Sequence, residues 1–230
     1  MNFSWSDFGL SIGYTLGMVV ISTLFAYLIG LPLGILLNVT SKNGLKPNKV
    51  VNTIFGVIVN LLRSIPCIIL VVICMPWTRA WFGTGIGEWY TILIPLVMAT
   101  FAFVARIVET SLQEVPAGEV EAIKSLGASN FQIITRVLLP EARSSLIAGF
   151  VVTLVNVIGY TSFAYNIGAG GLISDLYRYY TYHTGAFNDG TYLLDWVFWV
   201  MVIAIVALVQ IVQEAGMFIA RKIDKRKKVS

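Results

Sequence analysis

The sequence predicts an all-α polytopic membrane protein with five transmembrane helices, and three observations carry that prediction. Apolar residues make up 57% of the 230-residue chain, charged residues 12%, and the mean hydropathy is +0.80. Soluble domains carry about 25% charged and about 45–50% apolar residues, so a water-soluble fold of this length could not bury so much apolar surface. The apolar residues are also gathered into five long runs. Finally, none of these runs shows the strand-period alternation of a membrane barrel. A soluble enzyme or free binding domain is thereby excluded, and residues 1–230 are expected to form one membrane unit.

A helix needs about 20 mostly apolar residues to cross the hydrocarbon core. The first run extends from Ile12 to Leu37, with no ionisable residue after Asp7. The second, Val50 to Met75, is interrupted by Arg63-Ser64-Ile65-Pro66. Pro66 cannot donate a backbone hydrogen bond and is expected to kink this helix just beyond it. The remaining runs are Tyr90 to Val108, Ser145 to Tyr165 and Leu193 to Ile219. Residues 1–11 contain no Lys or Arg and precede a run too long for a signal peptide, so the first helix is expected to stay in the mature protein.

Placement of the cations sets the orientation. Lys42, Lys46 and Lys49, then Lys124, Arg136 and Arg143, then Arg221, Lys222, Lys225, Arg226, Lys227 and Lys228 all fall on one side. Arg79 and Arg178 fall on the other. The positive-inside rule places the N-terminus outside and the C-terminus in the cytoplasm, which an odd number of spans permits. Trp77, Trp81, Trp89, Tyr90 and Trp196 gather near the outer edge as interfacial aromatics. The basic tail serves as a topology signal and lipid-surface anchor.

Several chemistries lack their residues. No GxxxxGK followed by Ser or Thr occurs, so nucleotide is not hydrolysed by that route. Asp195 lies at the outer end of the fifth helix and Glu214 towards its inner end, which leaves little for a proton-coupled carrier. The single His183 falls in an outer loop as a solvated or packed residue and cannot pair for membrane haem. Cys67 and Cys74 share one helix face but stand roughly 10 Å apart along the axis, too far for a disulfide, and are expected to be packing residues. No cofactor, metal or nucleic-acid partner is expected.

The most informative stretch is Pro116 to Pro140, PAGEVEAIKSLGASNFQIITRVLLP. Pro116 can open a helix, where its missing amide proton does no harm. Glu119 and Glu121 occupy its early turns and Lys124 its end, matching the helix dipole. Gly127 stands where a left-handed residue closes a helix. Ser129 then caps a second helix, Gln132 completes a capping box, and Pro140 stops it. Two short cytosolic helices joined by a tight Gly127-Ala128 turn are expected. Val120, Ile123 and Leu126 form an apolar stripe for burial, and Glu121 can pair with a basic group.

This spacing resembles the signature of bacterial ABC-importer permeases, EAA with Gly at the seventh place and an Ile-x-Leu-Pro ending. Here the letters are Glu121-Ala122-Ile123, Gly127 and Val137-Leu138-Leu139-Pro140, with Ile123 and Val137 as conservative departures. Arg63-Ser64-Ile65-Pro66, Gly159-Tyr160 and Gly168-Ala169-Gly170-Gly171-Leu172 resemble the methionine-type subgroup. The likeness covers roughly residues 10–220 and is weakest over 173–195.

The resemblance implies a type I ABC-importer transmembrane domain in a bacterial cytoplasmic membrane, with two copies paired about a two-fold axis. Residues 116–140 would be the coupling segment that docks on a separate ATPase dimer, through Val120, Glu121, Ala122, Ile123, Leu126, Gly127 and Pro140. ATP hydrolysis would reside on that partner, so this chain is not expected to be an enzyme. An extracytoplasmic solute-binding protein would deliver methionine or a related small amino acid. Another amino acid, a short peptide or an osmolyte is the alternative cargo. A self-sufficient channel or ion-coupled carrier is the alternative from another class.

Arg63 is the oddest residue within the spans. A cation at a helix centre costs roughly 2.5–3.5 kcal/mol on insertion scales, so it must face protein or water. With Ser64 and Pro66 it either lines a kinked pore helix near the inner gate or snorkels to the head groups. The fourth helix ends in Asn156, Gly159, Tyr160, Thr161, Ser162 and Phe163, a mixture that suits a lined cavity. The resemblance implies a translocation path there; small residues used only for packing are the alternative. Gly168 to Gly171 suit a re-entrant or tightly turned segment. Gly9, Gly13 and Gly17, and then Gly30 and Gly34, form small-residue stripes for helix contacts. Tyr177, Tyr179, Tyr180, Tyr182, Phe187 and Tyr192 would serve an interface belt first and contact with a binding protein second.

Overall fold

The computed structural model describes residues 4–184 and 190–223, without the side chains of 182–184. Phe187, Lys225, Arg226, Lys227 and Lys228 therefore lie outside the described residues, as do the side chains of Tyr182 and His183. The chain runs α1 (Trp5–Thr40), α2 (Lys49–Ser64), α3 (Cys67–Phe82), a 3₁₀ turn (Trp89–Ile92) and α4 (Leu93–Gln113). Next come α5 (Ala117–Ser125), α6 (Asn130–Ile133), a π turn (Ile134–Leu138), α7 (Leu139–Glu141) and α8 (Arg143–Tyr160). After a 3₁₀ segment (Thr161–Ile167) follow α9 (Leu172–Arg178), a π turn (Tyr179–Thr184), a 3₁₀ turn (Thr191–Leu194) and α10 (Trp196–Ile223).

Trp5–Thr40, Trp89–Gln113, Arg143–Ile167 and Trp196–Ile223 are each long and apolar enough to cross a membrane. The second expected run is a pair of helices, α2 and α3, bent by 107° at the break, the geometry of a broken span or a re-entrant loop. It is not kinked beyond Pro66 as the sequence suggested; the helix ends before it. Proline disfavours α geometry at the residue it follows, here Ile65, and has no amide to donate. α2 stops at Ser64, and Pro66 becomes the cap of α3, its carbonyl accepting from the amides of Ile69 (2.9 Å) and Leu70 (3.2 Å). Leu24, Val72, Ile203, Ile211 and Phe218 are exposed, which would be a liability in water and suits hydrocarbon or another apolar surface.

The chain divides into two compact units, and α1, α4, α8 and α10 each supply residues to both. The first unit comprises 1–25, 65–100 and 154–212. Its core joins Met18, Val71, Ile92, Leu96, Ile167 and Ala169, with Trp89, Tyr160 and Phe163 packed around them. The glycine-rich stretch makes the tight turn expected of it. Gly168 and Gly171 take φ of +68° and +116°, and α9 then returns into the core, where the amide of Leu172 donates to Thr15 Oγ1 at 2.8 Å. Cys67 and Cys74 are buried free thiols.

The outer aromatics divide in use. Trp77, Trp81 and Trp196 are exposed, whereas Trp89 stacks on Tyr14 with centroids 6.0 Å apart. Tyr180 does not serve a belt: it is 0% exposed and packs edge-on against Phe198, beside Tyr179 and Tyr192. Burial and the neighbouring Asp195 carboxylate push its phenol well above the usual tyrosine range. The Asp195 carboxylate also accepts from the amide of Val197 at 2.9 Å, capping α10.

The second unit comprises 26–64, 101–153 and 213–230. Here the small-residue stripe of α1 does its packing: a Cβ on Gly30 would stand 2.7 Å from the Phe101 carbonyl, and one on Gly34 would stand 2.5 Å from that of Ala105. Only glycine lets the two backbones approach so closely. In the first unit Gly17 meets the Trp89 ring, while Gly9 and Gly13 have nothing within 4 Å. Asn52 ties the start of α2 to the end of α1, donating to the Leu37 carbonyl (2.8 Å) and Thr40 Oγ1 (3.1 Å). The hydroxyls of Ser111 in α4 and Ser145 in α8 meet at 2.9 Å.

Candidate functional site

The segment after α4 folds locally as its sequence dictates. Pro116 holds φ −58° and ψ 130° and caps α5, which runs to Ser125 and buries no residue. Gly127 adopts φ +82°, the left-handed region that reverses the chain. Ser129 then makes both halves of a capping box: its amide donates to Gln132 Oε1 at 2.9 Å, and its hydroxyl accepts from the Gln132 amide at 3.3 Å.

Pro140 does not stop the second helix. The chain widens into the π turn, where the amide of Leu139 donates to the Ile134 carbonyl, and Pro140 falls at the start of α7. A first-turn residue needs no intrahelical donor, so the ring is accommodated. The helix instead breaks at Ala142. Ile133, Val137 and Leu138 are buried and root the segment in the second unit.

The expected apolar stripe splits. Val120 and Ile123 are half-buried, but Leu126 is 82% exposed. Glu121, Ala122 and Gly127 are exposed as well. Phe131, which the sequence reasoning missed, is 74% exposed just past the turn. The available signal was its place directly after the Ser129 cap, in the unburied first turn of α6. Leu126 and Phe131 thus flank a rigid turn with two unburied apolar side chains. A cavity of about 850 Å³ lies beside α5, between Lys42, Gly44, Gln113, Glu121 and Lys124.

Within the spans of the same unit, Arg63 is exposed and forms no ion pair among the described residues. The adjacent Ser64 hydroxyl donates to the Asn60 carbonyl at 2.8 Å. The sequence reasoning passed over Arg106. Its Nη1 donates to Glu109 Oε2 at 2.6 Å and its Nη2 to Asn60 Oδ1 at 2.8 Å. Only the i,i+3 spacing of Arg106 and Glu109 hinted at this pair.

The polar end of α8 lies in the first unit. Gly159 is exposed with nothing within 4 Å, so no backbone approaches it closely in this protomer. Asn156, Tyr160, Ser162 and Phe163 are half-buried. Thr161 is 2% exposed and its hydroxyl donates to the Ile158 carbonyl at 2.6 Å, which spends its polar group on its own helix end. A separate cavity of about 320 Å³ in this unit is lined by Ser11, Tyr14, Trp89, Asp175 and Arg178. The Ser11 hydroxyl donates to the Asp175 carboxylate, and Arg178 Nη2 to the Gly168 carbonyl at 3.0 Å.

Helices of membrane length, a bent helix pair and an exposed, capped two-helix turn define a multi-pass membrane protein. Residues 30–228 match the family described as binding-protein-dependent transport system inner membrane component, and the chain belongs to that family. It is 45% identical over 168 residues to the probable D-methionine transport system permease protein MetI of Pasteurella multocida, covering 73% of this chain and 77% of that protein. It is 41% identical over 148 residues to the D-methionine transport system permease protein MetI of Escherichia coli, covering 64% and 68%.

Among solved structures, one described as an inward-facing conformation of the MetNI methionine ABC transporter superposes with a TM-score of 0.87 at 35% identity, over 96% of this chain and 98% of that one. An amino acid ABC transporter with histidines superposes with a TM-score of 0.68 at 17% identity, over 94% and 100%, and shares the fold alone. The fold is that of a type I ABC-importer transmembrane domain.

Proposed function

We propose that this chain is the membrane-spanning permease subunit of an ATP-driven importer of methionine or a closely related small amino acid, working as a homodimer with a separate ATPase dimer. The observation that carries the proposal is the hinge at 116–140, where a left-handed Gly127 and the Ser129–Gln132 box hold Leu126 and Phe131 clear of the protein. A preformed apolar projection of this kind can enter a groove with little ordering cost. The relatives named for D-methionine transport and the likeness to the MetNI transporter support both the cargo class and the ATPase partner.

In this reading residues 1–230 act as one transport domain, with the N-terminus outside and the C-terminus in the cytoplasm, an orientation that the cation placement supports. ATP binding draws the ATPases together, and the hinge segments move with them as rigid bodies. Val120, Glu121, Ala122, Ile123, Leu126, Gly127 and Phe131 form or shape the docking surface; Pro140 helps to set its root. In the first unit, Pro66, Asn156, Gly159, Tyr160, Ser162 and Phe163 are assigned to the path; within the second, Arg63 and Ser64 are assigned to the inner gate. An extracytoplasmic binding protein supplies the cargo.

The test is uptake by vesicles that hold the permease, its ATPase and its binding protein. Labelled methionine should accumulate only with ATP inside, and excess unlabelled methionine should suppress it. Uptake by vesicles that hold this chain alone would sink the proposal in favour of a channel or ion-coupled carrier.

A further inference from the structure

Arg106 is an intramembrane cation that the permease reading leaves without a task. Its guanidinium divides between two helices, one nitrogen on Glu109 of its own α4 and the other on Asn60 of α2. The Glu109 side chain is 8% exposed, and its second oxygen accepts from Gln113 Nε2 at 3.5 Å. Gln113 is the last residue of α4, and Pro116, the cap of the hinge segment, follows three places on. On the other side, the Asn60 carbonyl accepts from the hydroxyl of Ser64, the last residue of α2. Side-chain hydrogen bonds therefore run from the hinge end of α4 through Glu109 and Arg106 to Asn60, one helical turn before the broken end of α2, all within one compact unit.

Stability alone explains this arrangement poorly. The pair is only partly buried, with the Arg106 side chain 32% exposed, and a part-exposed ion pair contributes little to stability. Arg106 and Glu109 would satisfy each other along α4 without reaching α2 at all. What the second nitrogen adds is a directional tie between two helices, and an arginine fork holds such a tie in fixed geometry where a flexible lysine would not.

We infer that Arg106 is a positioning residue for transport: it binds the Arg63–Ser64 end of α2 to the hinge end of α4, so that hinge displacement carries that end of α2 along. The inference rests on the permease reading. Without the tie, ATP would still be hydrolysed while α2 lagged behind.

The experiment measures ATP hydrolysis and methionine uptake in vesicles holding the full complex, with Arg106→Gln, Arg106→Lys and Asn60→Ala permeases. Arg106→Gln should assemble with the ATPase and hydrolyse ATP at a near wild-type rate, while uptake per ATP falls about tenfold. Arg106→Lys should recover part of that loss. Asn60→Ala leaves the Arg106–Glu109 pair intact and should uncouple to a similar degree, so it decides the matter if Arg106→Gln does not assemble. The double variant should be no worse than either single one, as members of one chain require. Unchanged uptake per ATP in Asn60→Ala overturns the inference, as does a loss of uptake that merely tracks lost assembly. A wild-type complex that fails to import would instead sink the permease reading and this tie with it.

Discussion

Ser129 and Gln132 bond to each other in both directions, amide to side chain each way, at 2.9 and 3.3 Å. α6 is only four residues long, so this box is a large share of what holds its first turn. An N-cap hydroxyl typically contributes about 0.5–2 kcal/mol to its helix. Ser129→Ala should therefore loosen the second arm of the hinge without unfolding the spans. The permease should keep its melting temperature in detergent to within a few degrees and retain less ATPase on an affinity column. Ser129→Thr, which preserves the acceptor, should bind as wild type does.

Gly34 and Gly9 occupy the same helix but different surroundings. A Cβ on Gly34 would stand 2.6 Å from the Val108 Cβ, against rigid backbone and branched side chain, whereas one on Gly9 meets nothing within 4 Å. Overpacking of this kind typically costs about 1–3 kcal/mol. Gly34→Ala should melt clearly below wild type and Gly9→Ala should not. Equal melting temperatures for the two would mean that α1 and α4 do not pack through Gly34.

Leu126 and Phe131 have no role in the interior of this chain, so replacing them should leave folding untouched. A central aromatic at an interface commonly contributes about 2–4 kcal/mol to binding. Phe131→Asp should elute as intact permease on gel filtration but lose its ATPase, and with it ATP-driven uptake. Retention of the ATPase by Phe131→Asp would remove this turn from the docking surface.

Features carried by adjacent residues were legible in advance. The spans follow from apolar runs, and the capping box and the Gly127 reversal from three- and four-residue spacings, because local backbone chemistry decides them. Features that depend on which helices lie together were not. Asn60 and Arg106 stand 46 residues apart, and nothing in either segment announces the other. Tyr180 looked interfacial because its neighbours are aromatic, yet the position of Phe198 turns it into core. Proline was misjudged twice for one reason. Its effect depends on whether the preceding turn can widen, as it does before Pro140, or must end, as it does before Pro66.

Gly127 offers the sharpest test of the hinge, because space and strain separate there. A Cβ on this residue would touch nothing within 4 Å, so steric crowding cannot explain a defect. Its φ of +82° is another matter: a side chain in the left-handed region costs about 1–2 kcal/mol, and a β-branched one more. Gly127→Val should turn the chain differently, moving Leu126 relative to Phe131. ATPase binding should fall while the spans stay folded by circular dichroism. Gly127→Asn tolerates the same φ and should keep most of the binding. Two variants of similar size with opposite outcomes would tie docking to backbone conformation. If Val and Asn were lost alike, the requirement would instead be a bare surface at this position, and the hinge would matter only for lacking a side chain.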